Sequence, residues 1–185
     1  MDVVLVAPEI PHNTGCAARL AAALGLRLHL VEPLGFSLED HYLKRAGLDY
    51  WPLVELAVHG SWDAALRALA GGSTRPIEER LRLFTARGGS SLFEVAFAPD
   101  DLLVFGGESR GLPGEILRGR DGRRVYVPIR PEVRSLNLAN VVCLAAYTAM
   151  VRAGIPLPAN DGVHVPDPRA AEDVRPSSRV VRVDA

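Results

Sequence analysis

Short apolar runs alternate with helix-like stretches along most of this chain. That alternation selects an α/β fold, a mainly parallel sheet with helices on both faces. Val3 to Val6 reads as a buried strand, followed by a helix from near Asn13 to Leu24 that Gly25 stops. Arg27 to Val31 is a second strand, and Glu39 to Ala46 is a short helix ended by Gly47. Leu53 to Val58 adds a short strand. Ser61 is placed to cap the helix SWDAALRAL, with Asp63 in its first turn. Arg80 to Thr85 alternates as a strand does, and Leu102 to Phe105 and Arg124 to Val127 are two more strands. The last strong element is a helix from about Asn137 to Arg152, stopped by Gly154. Residues 155–185 differ, with Pro156, Pro158, Pro166, Pro168 and Pro176 among many charges and few large apolar residues. The reading is one domain over residues 1–153 and a Pro-rich, weakly ordered tail over 154–185.

Three loops, each following an apolar run, carry the chemistry: Pro8 to Gly15 (PEIPHNTG), Gly106 to Pro113 (GGESRGLP) and Arg130 to Asn140 (RPEVRSLNLAN). Open α/β sheets bind ligands at the carboxyl ends of their strands, where such loops lie. Familiar nucleotide motifs are excluded. A P-loop ends in Gly-Lys-Ser/Thr, but the single lysine, Lys44, follows Leu43. A dinucleotide fingerprint needs GxGxxG after the first strand, and that turn offers only Gly15. What remains is a site built largely from backbone groups. Gly106, Gly107 and Gly111 permit close approach of a flat ligand and conformations with positive φ. Glu108 and Ser109 add an acceptor and a hydroxyl. Ser135 and Asn137 are small enough to cap the following helix, whereas Asn140, one turn later in an apolar helix, needs a partner if buried.

Charge and cysteine content narrow the class. Net charge is −1, so any nucleic-acid contact must use a local basic patch, and 20 arginines beside one lysine could build it. Cys16 and Cys143 fit no metal or redox spacing, and the five histidines are scattered, so no metal is expected. Free thiols, the absence of a signal peptide and the lack of an apolar run of roughly 20 residues point to the cytoplasm and away from a membrane.

The loop sequences carry a resemblance. PEIPHNTG, RLHLVEPLGF (27–36), KRAGLDY (44–50), VFGGESRGLP and RSLNLAN occur in the order and spacing of the SPOUT superfamily of RNA methyltransferases, over about residues 2–153. The chain is similar to its small tRNA (cytidine/uridine-34-2′-O)-methyltransferases. That resemblance implies a sheet ending in a C-terminal trefoil knot, and S-adenosylmethionine as cofactor. It implies transfer of a methyl group to the ribose 2′-hydroxyl of the tRNA wobble nucleotide in the anticodon loop. By position, the cofactor site would fall on Phe84, Thr85, Gly106, Glu108, Gly111, Val127, Ile129, Ser135, Leu136 and Asn140. Asn13 and Arg19 match the motif that faces the RNA and the transferred methyl. Family members often carry Asn in place of Cys16 and Pro in place of His12. A homodimer through the 137–152 helix is also implied, and the apolar residues spread around that helix agree with burial on more than one side. Another RNA such as rRNA, or a non-catalytic RNA-binding or assembly role, remains open at this point.

Overall fold

A computed structural model describes residues 1–38, 53–159, 162–163 and 181–183. The expected helix over Glu39 to Ala46 lies outside the described residues. Among the described residues, eight strands form one sheet in the order β5-β7-β4-β6-β1-β2-β3-β8, with every neighbouring pair parallel. They are β1 (Asp2–Val6), β2 (Arg27–Val31), β3 (Glu55–His59), β4 (Leu81–Phe84), β5 (Ser90–Ser91), β6 (Leu102–Gly106), β7 (Arg124–Tyr126) and β8 (Val181–Val183). The helices are α1 (Pro11–Leu24), α2 (Trp62–Ala70), α3 (Ile77–Arg80), α4 (Gly114–Leu117) and α5 (Leu138–Arg152).

The central strands are buried on both faces, which is why they read as continuous apolar runs. Val3, Leu5, Leu28, Leu30, Leu103 and Phe105 point to one face, against Ala17, Ala18 and Ala21 of α1 and Val142, Ala145, Ala146 and Ala149 of α5. Small residues on both helices let their backbones lie close. Val4, Val6, Leu81, Leu83 and Val104 point to the other face, against Ala65 and Leu69 of α2 and Ile116 of α4. Ser61 caps α2, its hydroxyl accepting from the Ala64 N–H at 3.1 Å.

The structure differs from the sequence reading in three respects. The Arg80 to Thr85 stretch splits, because Ile77 to Arg80 form a helical turn that buries the Arg80 guanidinium before β4 begins. β5, α3 and α4 are too short for periodicity to reveal. Within the Pro-rich segment, Val181 to Val183 lies beside Ala57 to His59 as an eighth strand. No helix among the described residues is long and apolar enough to cross a membrane.

Candidate active site

Strands β7, β4, β6 and β1 are neighbours in the sheet although distant in sequence. Their carboxyl ends therefore deliver four loops to one place. Between those loops lies a cavity of about 550 Å³, a size suited to a cofactor.

The first loop turns sharply at Ala7, whose φ of 48° is rare for a residue with a side chain. This turn aims the next main-chain N–H groups across at the β6 loop. The Glu108 carboxylate accepts from the Glu9 N–H at 2.8 Å, the Ile10 N–H at 3.3 Å and the Asn13 side-chain amide at 2.9 Å. The exchange is reciprocal, because the Glu9 carboxylate accepts from the Ser109 hydroxyl and from the Ser109 N–H. Each acidic side chain thus holds the other's loop.

Asn13 extends this network. It is 3% exposed. While its amide N–H₂ serves Glu108, its carbonyl accepts from Asn137 Nδ2 at 3.0 Å. Asn137 in turn caps α5, accepting from the Asn140 N–H at 3.3 Å. The line Glu108–Asn13–Asn137 therefore ties three loops, Asn13 lying 95 residues from Glu108 and 124 from Asn137 in sequence. A buried amide with both ends satisfied is an accurate spacer, because losing either partner leaves a buried polar atom unpaired.

The glycines act differently from the sequence expectation. A Cβ on Gly106 would stand 2.0 Å from the Gly111 carbonyl carbon and 2.1 Å from the Leu112 nitrogen. The close approach at Gly106 is therefore of the chain to itself, as the β6 loop doubles back over the strand end. The Gly111 N–H donates to the Gly107 carbonyl at 2.8 Å, with Gly111 at φ 68°. Beneath this loop Phe84 and Phe105 stack with ring centroids 4.4 Å apart and form an apolar floor.

Phe84, Thr85, Gly106, Glu108, Gly111, Val127, Ile129, Ser135, Leu136 and Asn13 all line the cavity. Asn140 does not; it is exposed on α5. The residues of α5 that face the cavity are Leu138 and Val141, three apart, and Asn140 is rotated off that face by the helical pitch. Its predicted need for a buried partner does not arise. Arg19 is exposed on α1 and stands outside the lining, six residues beyond Asn13. His12 is exposed too, with Nε2 3.7 Å from Cys16 Sγ. Glu9, Arg134 and Asn137 join the site without having been candidates. Asn137 had a legible role as a helix cap, but its bond to Asn13 leaves no trace in the sequence.

The SpoU rRNA Methylase family profile matches residues 1–147 of this chain. The chain belongs to that family. It is 49% identical over 154 residues to a tRNA (cytidine(34)-2′-O)-methyltransferase of Burkholderia ambifaria, covering 83% of this chain and 96% of that one. Its Burkholderia cenocepacia counterpart, a protein of the same name, is 47% identical over the same shares. A structure solved for insight into 2-OH methylation of C/U34 on tRNA superposes with a TM-score of 0.75 at 50% identity, covering 83% of this chain and 95% of that chain. The matched region contains all four loops of the site.

Proposed function

We infer that this protein transfers a methyl group from S-adenosylmethionine to the ribose 2′-hydroxyl of nucleotide 34, cytidine or uridine, in the tRNA anticodon loop. One observation carries the reading. The chain matches the tRNA (cytidine(34)-2′-O)-methyltransferase of Burkholderia ambifaria over 96% of that protein's length at 49% identity, and the matched loops converge on one cavity.

The cavity fits the cofactor chemically. Its apolar floor of Phe84 and Phe105, with Val127, Ile129 and Leu136, suits a purine ring, and main-chain groups around Gly106 to Gly111 can hydrogen-bond its edge. When bound, the cofactor supplies an electrophilic methyl on a sulfonium leaving group, so the protein needs no nucleophile of its own. The chain's task is alignment and control of one proton. Asn13, fixed between Glu108 and Asn137, sets the position of the first loop at the cavity rim. Arg19 serves as a phosphate contact and stabilises charge developing on the ribose oxygen, because a guanidinium stays protonated and is a poor base. Arg110 and Arg134 at the cavity supply a local basic surface for RNA on a chain of net charge −1.

The dimer reading rests on α5. Its inward face is buried, but Leu144, Tyr147 and Val151 remain 37%, 41% and 61% exposed along one stripe. A second copy of the chain covers that stripe in the proposed homodimer. A C-terminal trefoil knot and a cytoplasmic location, with tRNA, complete the proposal.

The test is direct. Purified protein is incubated with labelled cofactor and tRNA transcripts, with a 2′-O-methyl or 2′-deoxy nucleotide at position 34 as the blocked control. Label incorporated into the open substrate and absent from the blocked one is expected. Label at another tRNA position, in rRNA or nowhere would overturn the substrate. Sedimentation of the parent and Tyr147→Asp proteins checks the dimer, since only the parent should run as two copies.

A further inference from the structure

The third loop, from Pro128 to Asn137, supplies Ile129, Arg134, Ser135 and Leu136 to the cavity; Asn137 ties its far end to Asn13, but the stretch before it has little to hold it there. It has no regular secondary structure. Val133 and Leu136 are 42% and 41% exposed, so neither anchors it in the core. Inside the loop the main chain forms one turn, the Val133 N–H donating to the Arg130 carbonyl at 3.1 Å. The fixing comes from outside. Arg87, in the loop after β4, donates from Nη2 to the Pro131 carbonyl at 3.0 Å and to the Val133 carbonyl at 2.8 Å. On the opposite side Arg134 Nη2 donates to the Ser109 carbonyl at 3.0 Å.

The turn that carries Arg87 is itself built to hold still. The Thr85 N–H donates to the Val125 carbonyl at 2.9 Å. Its hydroxyl lies 3.0 Å from the Arg87 carbonyl oxygen and 3.1 Å from that of Gly88. Gly89, at φ 99°, presses against β7 so closely that a Cβ would stand 2.3 Å from the Arg124 carbonyl oxygen. Arg87 therefore extends from a fixed base at the end of β4 to a loop that lacks one.

We propose that Arg87 is a positioning residue for the cofactor: it clasps the third loop through the Pro131 and Val133 carbonyls and so holds Ser135 and Leu136 on the cavity. Arg87 does not itself line the cavity. It acts through the loop, and a guanidinium suits the task because one nitrogen carries two donors. This rests on the cavity being the cofactor site.

Two measurements on the full-length protein test it, both without RNA. The first is titration of S-adenosylmethionine into parent, Arg87→Ala and Arg87→Lys proteins. Arg87→Ala should raise Kd about tenfold, mostly through faster dissociation, as loss of two charge-assisted hydrogen bonds allows. Arg87→Lys should recover part of the affinity, because an ammonium also carries enough donors for both carbonyls but on a shorter reach. The second is hydrogen exchange, which should speed up in peptides covering 130–137 of Arg87→Ala and stay at the parent rate in β1 and β6. An Arg87→Ala protein with unchanged exchange in 130–137 overturns the clasp. Faster exchange with unchanged Kd overturns its role toward the cofactor. Failure of the parent to bind the cofactor would strike the functional reading instead, and the exchange data would still decide the clasp.

Discussion

The two ends of the parallel sheet use acidic and basic side chains in opposite ways. At the amino ends of β4 and β6 they are spent on one another. Asp101 is fully buried, with Arg75 at 3.1 Å, Arg82 at 3.0 Å and the Ala98 N–H at 3.0 Å. Arg80, 2% exposed, lies 3.6 Å from the Asp100 carboxylate and also donates to the Asp100 and Leu69 carbonyls at 2.9 and 2.7 Å. At the foot of β1 the Asp2 carboxyl is pushed up by burial, but Arg27 and His29 beside it outweigh that and hold it below its usual range. At the carboxyl ends the carboxylates of Glu9 and Glu108 bind N–H groups and a hydroxyl instead, and Arg87 and Arg134 bind carbonyls. One end closes the fold by pairing charges. The other orders irregular backbone around a space, and charge pairing there would cost the main chain its partners.

The largest effect that would sharpen this contrast is at Asp101. Asp101→Ala strands Arg82, whose side chain is only 11% exposed, while Arg75 keeps Asp100, so it should cost about 3–5 kcal/mol of stability. Cofactor affinity of the folded protein should stay within about twofold of the parent. Urea denaturation and titration check the two halves, and a tenfold change in affinity would show that the ends are not separate.

Next comes a buried histidine pair that runs between the ends. His29 Nδ1 lies 3.0 Å from His59 Nε2, with the rings stacked under α2. Burial, and then the nearby His29, push the His59 imidazole down from 6.5 to about 4. The unfolded chain therefore binds a proton that the folded chain refuses between those values. Stability should be complete above pH 6.5 and fall by roughly 3 kcal/mol as pH drops to about 4. His59→Leu should flatten the curve in that window, as pH-dependent denaturation would show; an unchanged slope would assign it elsewhere.

Smaller in stability but centred on the site, Glu108→Gln replaces one carboxylate oxygen by an N–H₂ and so leaves one or two of its three donors without an acceptor. It should cost about 2 kcal/mol. Methyl transfer should drop by at least about tenfold as the first loop loses its position. Equal losses in an Asp101 variant corrected for folded fraction would break the comparison. The smallest effect is at Ala7. Ala7→Gly removes a Cβ from a φ of 48° and should stabilise by about 0.5–1 kcal/mol, less the extra freedom given to the unfolded chain. A calorimetric loss of stability would mean that the turn is not strained.

Much of the frame was legible because it rests on local pattern. The apolar runs of β1, β2 and β6 and the Ser61 cap of α2 follow from periodicity and capping chemistry acting within a few residues. The candidate cofactor residues came from loop sequences resembling a known family, and most converge on the cavity. Asn140 shows the limit of such transfer: helical pitch, fixed by where α5 begins, turns it outward.

By itself, then, the sequence determined that strands and helices alternate, that the sheet is parallel and buried on both faces, and which loops leave the strand ends. Those properties depend on hydrophobic period and turn residues, which are local. Only the tertiary structure decided that β7, β4, β6 and β1 end side by side, that Gly106 is pressed against the Gly111–Leu112 backbone, and that Glu9 and Glu108 each hold the other's loop. It alone brought Arg87 to the carbonyls of Pro131 and Val133. Main-chain carbonyls and N–H groups are the same at every residue, so their pairing carries no sequence signature until the fold sets them face to face.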